Sequence, residues 1–264
     1  IESERGDKWL ILISFVIGLS FGVHFMGLLA IPAIGLLYYF KKYTFNLGTF
    51  LLANIISISI LLFIFKLLLP TTLSIFGYVE VFFVNEIGLP FNYGTIFSAI
   101  LLILTIYYLL NKSFRENKYI LNTITLCVTF IFIGFSSWLM IPIRSNANTV
   151  INENAPSDAR SLLAYYNLEQ YPDTYLFRGP MYSDIYSGQD ENEPYKDDKP
   201  KYERDYKKNK YVIVNDWKKG KLNNNKEHVG FFPRMWSSEN AVNYLDFTGF
   251  LDFSIKDEFE GQEQ

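Results

Sequence analysis

The sequence predicts a polytopic α-helical membrane half followed by a small soluble α/β region, and three observations carry that prediction. Residues 9 to 142 are almost wholly apolar whereas residues 143 to 264 are polar, charged and rich in tyrosine, so an overall hydrophobic content of 50% conceals a sharp internal division. Several apolar runs approach or reach the roughly 20 residues that a helix needs to cross about 30 Å of hydrocarbon. Lysine and arginine cluster in some short connections and are missing from others, as in a chain threaded through a bilayer.

In chain order, the first apolar run is Trp9 to Phe40. As one helix it is about 48 Å long at 1.5 Å per residue, well beyond the hydrocarbon thickness. The stretch SFGVHFMG, Ser20 to Gly27, places two glycines and a histidine inside it, so the run is expected to break there. Segments 9–22 and 24–40 would then meet in a tight hairpin or a re-entrant turn. Further segments follow at 47–69, 95–110 and 119–141, giving four to five in all according to whether the first run counts once or twice. The segment 47–69 lies between Lys41–Lys42 and Pro70, 95–110 is followed by NKSFRENK, and 119–141 ends at Pro142 and Arg144. Residues 71–90 are too short and interrupted for a spanning hairpin but rich in aromatic residues. They are expected to form an interfacial helix with Phe76, Tyr78, Phe82 and Phe83 at the level of the lipid headgroups.

Orientation follows from the connections. Residues 41–46 carry two lysines and residues 111–118 carry Lys112, Arg115 and Lys118, while 70–94 has no basic residue and contains Glu80 and Glu86. The positive-inside rule puts the basic connections in the cytoplasm, and both 70–94 and everything after residue 141 outside. Lys66 sits about one turn inside the outer end of its segment, where two readings stand: snorkelling to the interface, or contact with a lipid phosphate.

The region 143–264 is read as an extracytoplasmic soluble α/β domain. It opens with a helix signal: Pro156, Ser157 as N-cap, Asp158 in the first turn, and Leu162, Leu163 and Tyr166 along one face. Short strands are expected at Thr174–Phe177 and Tyr211–Val214, from β-branched and aromatic composition between turn residues. Asp190 to Lys210 is a charged, proline-containing excursion, read as a long hairpin with a solvated surface.

Several function classes are disfavoured. A net charge of −3 spread over both halves offers no basic stripe, and no glycine-rich phosphate loop is present, so nucleic-acid binding is not expected. Cys127, the only cysteine, lies in an apolar run and cannot form an intrachain disulfide. Two distant histidines and one cysteine cannot make a metal site, no Ser-His-Asp spacing stands out, and neither metal nor certain cofactor is expected. Apart from Lys66 no charge interrupts the segments 47–69, 95–110 and 119–141 as an ion relay requires, which disfavours an ion-coupled transporter. The chain opens on IESERGDK, without initiator Met, hydrophobic leader or cleavage site, and is expected to be an internal fragment of a longer protein.

The residues that carry chemistry are few. His24 is a titratable group at membrane depth, either functional or simply a hydrogen-bonded interfacial histidine. The stretch IPIRSNANTVINENAP, Ile141 to Pro156, crowds Arg144, Asn146, Asn148, Asn152, Glu153 and Asn154 against the exit of an apolar segment. A guanidinium there can bind a phosphate bidentately, and amides with a carboxylate suit sugar hydroxyls. The alternative is a hydrated connection whose asparagines make turns. In FFPRMWSS, Arg234 stands among aromatic residues, for carbohydrate contact or as part of a packed loop.

Four stretches together, GLSFGVHFMGLLAIPAIGLLYYFKKY (18–43), VEVFFVNEIGLPFNYGT (79–95), IPIRSNANTVINENAPSDARSLLAYYNLEQY (141–171) and FFPRMWSS (231–238), resemble in that order a bacterial multi-pass membrane family of the domain-of-unknown-function type. That family is related to the transmembrane protein O-mannosyltransferases, in the family C glycosyltransferase clan. The resemblance implies a family C glycosyltransferase-like membrane half. It further implies an inverting hexosyltransferase of the bacterial inner membrane with residues 143–264 in the periplasm, which moves a sugar from a polyprenyl-phosphate donor to a protein hydroxyl. Its partners would be that lipid-linked phosphosugar, an acceptor protein and membrane lipids. The family's general base lies in a first extracytoplasmic loop, which is expected upstream of this chain, so no residue here is assigned as catalytic and the fragment alone is expected to be inactive. Residue by residue, Arg144, Asn146, Asn148, Asn152, Glu153 and Asn154 match the motif after a membrane segment, and His24 matches its GVH. These are implied to face the catalytic cavity, with Arg144 holding donor phosphate and the amides positioning sugar or ordering the loop. The alternative function is a non-catalytic membrane scaffold or envelope-assembly component.

Overall fold

Helix accounts for most of the chain up to Tyr166, and a small set of short strands follows. The computed structural model describes residues 2–147, 149–171, 175, 177–182, 189–190, 192–232 and 234–249. Helix α1 spans Glu2–Phe21 and α2 spans Ala30–Lys42. Between them the chain turns at Gly22–His24, within the glycine-containing stretch, and passes through a 3-10 turn at Phe25–Leu29. Helix α3 (Leu47–Leu62) starts on Asn46, whose side chain accepts the Gly48 N–H at 2.9 Å. The α2–α3 connection is closed by the Tyr39 hydroxyl, 2.8 Å from Thr49 Oγ1, which also accepts the Asn46 N–H at 3.1 Å.

The helix that starts at Leu47 does not stop before Pro70. It runs without interruption to Ile87 through a π-helical segment at Phe63–Leu68, then α4 (Leu69–Phe82), then a second π-helical turn. Proline normally breaks a helix because its ring meets the carbonyl four residues back and its nitrogen cannot donate. The wider π turn relieves that: the Leu69 N–H bonds to Ile64 O, five residues back, and Pro70 occupies the first turn of α4. At 41 residues this helix is about 61 Å long, roughly twice the hydrocarbon thickness.

Helices α5 (Tyr93–Arg115) and α6 (Tyr119–Phe135) complete the apolar set, and α6 continues through a 3-10 turn into α7 (Met140–Asn146). Among the described residues, three helices are long and apolar enough to cross a membrane: Leu47–Ile87, Tyr93–Arg115 and Tyr119–Asn146. Lys41 and Lys42 close α2 and Lys112 and Arg115 close α5, where cations complement the negative end of the helix dipole.

Helix α8 (Ala159–Tyr166) begins one residue later than the sequence signal placed it. Asp158, not Ser157, is the N-cap, accepting from Arg160 N and Ser161 N at 2.8 and 3.0 Å, and Ser161 returns the bond to complete a capping box. Its apolar face closes the main core: Phe21, Leu28, Ile64, Leu69, Leu73, Phe135, Trp138, Leu162 and Leu163 are all buried together. Tyr166 lies over this core with its hydroxyl 3.3 Å from Phe65 O.

The chain divides into two compact units, Ile1–Gln170 with Tyr202–Ile213, and Tyr171–Lys201 with Val214–Gln264. The second contains antiparallel pairings of β1 (Arg178–Pro180) with β6 (Val229–Phe231) and of β2 (Tyr195–Lys196) with β5 (Lys221–Leu222), and includes α9 (Ala241–Thr248). Within it Asp190 is buried, accepting the N–H groups of Asn192 and Glu193 at 3.0 Å each and lying 3.3 Å from Lys226 Nζ. The hairpin of β3 (Tyr202–Asp205) and β4 (Lys210–Ile213) belongs to the first unit. The strand expected at Thr174–Phe177 lies largely outside the described residues; the nearest strand described is β1.

Candidate functional site

A buried polar cluster of the first unit forms where α4 meets the start of α5. Glu80 on α4 is wholly buried. Its carboxylate accepts the Asn92 N–H at 2.5 Å and the Thr95 N–H and hydroxyl at 2.9 and 3.0 Å. Asn92, the residue that should cap α5, has φ 75° and makes no cap of its own, so Glu80 serves as a remote anionic cap for the unpaired N–H groups and positive dipole end of α5. Gly94 makes the approach feasible, since a Cβ there would lie 2.5 Å from Glu80 Cα.

The β3–β4 hairpin locks onto this junction. Asn85 pairs with the backbone of Tyr211 in both directions at 2.8 Å, and the Tyr211 hydroxyl lies 3.4 Å from Glu80 Oε1. Arg204 is the hub. Its Nε is 3.1 Å from Asp158 Oδ2 and 3.0 Å from the Tyr211 hydroxyl, one terminal nitrogen donates to Asn92 Oδ1 at 2.7 Å, and its guanidinium faces the Phe91 ring at 4.9 Å. Burial disfavours the Arg204 charge, but the Asp158 carboxylate and the Tyr211 hydroxyl outweigh it and hold the guanidinium above its ordinary range. The side chain is only 12% exposed, which corrects the expectation that the charges of 190–210 form a solvated surface; among the described residues Asp190 is buried as well.

Burial raises the Tyr211 hydroxyl well above the ordinary range, and burial alone pushes Tyr166 up to about 12. In the unfolded chain both titrate near pH 10. The neutral form is favoured in the folded state, so the stability this supplies is fully present below about pH 10 and is lost as pH rises toward 12. The expected result is a thermal midpoint that falls above about pH 10, and falls less steeply in Tyr166→Phe than in the unaltered chain.

The residues singled out in the sequence lie elsewhere. Arg144 is exposed in the last turn of α7, where its charge suits the helix C-terminus, and no described residue pairs with its side chain. Asn146 donates to Pro142 O at 2.7 Å and to Ser157 O at 2.8 Å, and Asn152 donates to Ser145 O at 3.1 Å. These two amides fold the 144–157 connection back on itself. Glu153 and Asn154 are exposed, with Asn154 at φ 58° in a left-handed turn. Asn148 lies outside the described residues. His24 is exposed and caps the 3-10 turn, its Nδ1 accepting the Met26 N–H at 3.1 Å. Arg234 belongs to the second unit, where it donates to Pro180 O at 2.9 Å and to Tyr175 O, so there it ties a loop to β1.

Sequence reading missed the Glu80 cluster because it used Glu80 only to assign loop charge. The available signal was a lone carboxylate in an otherwise apolar helix, which needs dedicated partners wherever it is buried. Among the described residues, no group of three or more His, Cys, Asp or Glu is placed to hold a metal ion.

Comparison with known families adds two matches. Residues 1–47 are similar to the N-terminal domain of the protein O-mannosyl-transferase TMEM260, and residues 172–260 to a family of unknown function, DUF8416. No curated protein and no solved structure matches the chain.

Proposed function

We propose that the chain is part of an inverting membrane glycosyltransferase that transfers a sugar from a polyprenyl-phosphate donor to protein hydroxyls on the outer face of a bacterial inner membrane. The observation that carries this reading is the similarity of residues 1–47 to an O-mannosyl-transferase N-terminal domain, in a chain whose described residues include three membrane-length helices. The basic residues at the ends of α2 and α5 favour a cytoplasmic position for those ends. That orientation puts α7, the β3–β4 hairpin and the second compact unit outside.

In this reading Arg144 holds the donor phosphate. A permanently charged guanidinium at the end of an apolar helix sits at headgroup level, where the phosphate of a lipid-linked sugar is presented, and it stabilises charge that grows on the leaving phosphate. Asn146 and Asn152 are ordering residues that present Arg144, because their side-chain N–H groups are given to backbone carbonyls. Glu80 is not the general base. Its two oxygens already accept three hydrogen bonds from Asn92 and Thr95 and it is inaccessible, whereas a base must reach the acceptor hydroxyl.

Asn146 and Asn152, spent on their own loop, equally favour a second reading, a non-catalytic scaffold whose 144–157 segment only connects the helices to the soluble part. Arg144→Ala in the full-length protein separates the two. Loss of the glycan mass shift on envelope proteins, with the variant still folded, is the expected result; unchanged glycosylation removes the donor-binding role.

A further inference from the structure

The first unit contains an open cleft of about 540 Å³ between one face of the long helix and the β3–β4 hairpin, and nothing derived above uses it. Tyr78, Phe82 and Glu86 line it from the helix at four-residue spacing, so they stand one above another on a single face. Tyr202 and Ile213 line the opposite side. Asn85, at the base, is fixed by its paired bonds to the Tyr211 backbone, and the Tyr211 hydroxyl is committed to Arg204 and Glu80. The wall is therefore rigid, and the groups left to meet a ligand are the exposed rings of Tyr78 and Phe82, the Tyr78 hydroxyl and the exposed Glu86 carboxylate, for which no described residue serves as partner.

We propose that this cleft binds a neutral sugar residue of a glycan, stacked on Tyr78 and Phe82 and held by hydrogen bonds from its hydroxyls to Glu86. No lysine or arginine lines the cleft, so a phosphate would meet a carboxylate and no compensating charge. An ionised carboxylate accepts but cannot donate, which selects a ligand rich in hydroxyl donors, and charge-assisted bonds of that kind are the stronger ones. A lipid chain would leave Glu86 desolvated without a partner, at a cost that an apolar occupant does not repay. The volume lies within the range of small-ligand sites. This goes beyond the donor role given to Arg144 and would serve an enzyme or a scaffold alike.

The test uses the full chain in lipid nanodiscs and saturation-transfer NMR with methyl α-mannopyranoside, methyl β-glucopyranoside and mannose 1-phosphate as probes. In the Arg144→Ala chain, where the proposed donor-phosphate contact is removed, at least one neutral glycoside should receive saturation more strongly than the phosphorylated sugar. Glu86→Gln and Tyr78→Ala, both at exposed positions, should each lower that affinity about tenfold, while Arg144→Ala leaves it unchanged. The proposal is overturned if neither neutral glycoside receives saturation, if mannose 1-phosphate binds as well to the Arg144→Ala chain, or if signal survives in both cleft variants. It is also overturned if a lipid chain or a peptide occupies the cleft instead. Because Arg144 takes no part, failure here leaves the donor reading standing, and failure of the donor reading leaves this one standing.

Discussion

Replacing Glu80 with alanine lowers the stability of the first unit by about 3–5 kcal/mol, the range seen when one member of a buried charged network is removed. Three bonds to Asn92 and Thr95 disappear at once, and the first N–H groups of α5 lose the wholly buried carboxylate that caps them. Arg204 keeps Asp158 but loses its second carboxylate, 3.9 Å away. Glutamine at this site does not rescue. Asn92 donates to one carboxylate oxygen and Thr95 to the other, so an amide turns its own NH₂ against one of these donors. The measurement is thermal unfolding in detergent, together with protease sensitivity of the 202–213 hairpin. Glu86→Ala, on the same helix but exposed, is the control and should stay within about 0.5 kcal/mol of the unaltered chain. Equal midpoints for Glu80→Ala and the unaltered chain would mean that the cluster stabilises nothing.

The second large effect is expected where α1 crosses α6. A Cβ on Gly134 would lie 2.3 Å from Phe15 O and 2.5 Å from Leu19 N, and one on Gly18 would lie 2.2 Å from Ile131 O. In both cases the obstructing atoms are backbone, so the clash cannot be relieved by a rotamer change. Small residues at membrane-helix crossings allow this approach, and the gain is close packing rather than expulsion of water. Gly134→Val forces the helices apart and disturbs the group built on the crossing: Phe21 and Phe135 in edge contact at 5.1 Å, and Trp138 donating to Phe21 O at 3.2 Å. A loss of about 3 kcal/mol is expected, at the upper end of overpacking costs, with a shift in Trp138 fluorescence. Gly48→Ala is the contrast. Only Asn46 Oδ1, at 3.3 Å, lies near its added Cβ, and little change should be seen.

These two sites also mark how far the fold can be read in the sequence. The apolar runs, their basic ends and the break at Gly22–His24 are local features, set by composition over a few turns. The passage through Pro70 is different, because it depends on a π turn whose extra residue moves the blocked carbonyl out of the way, and composition does not reveal that register change. The cap of α8 was displaced by one residue because Ser157 and Asp158 are both good caps, and the choice falls to Asp158, which also meets Arg204.

The candidate site divides in the same way. Arg144 and its asparagines stand out in sequence by crowding, and the described members stay near one another because they are near in the chain. Glu80, Asp158 and Arg204 are far apart in sequence and become one cluster only through tertiary packing. Within 190–210, the largely covered Arg204 looks the same in composition as the solvated charges around it. Arg234, chosen for its aromatic setting, donates to the carbonyl oxygens of Pro180 and Tyr175 in its own unit, contacts that its sequence neighbours do not reveal.

The central claim is that Arg144 acts on a lipid-linked phosphosugar. The direct measurement is sugar transfer by the purified full-length protein from a mannosyl polyprenyl phosphate to a serine- and threonine-containing peptide. Arg144→Ala should lower transfer by about 10²–10³-fold, the cost of removing one preorganised group that stabilises transition-state charge, with its thermal midpoint unchanged. Transfer at the unaltered rate by a folded Arg144→Ala protein, or no transfer by the unaltered protein, would contradict the account.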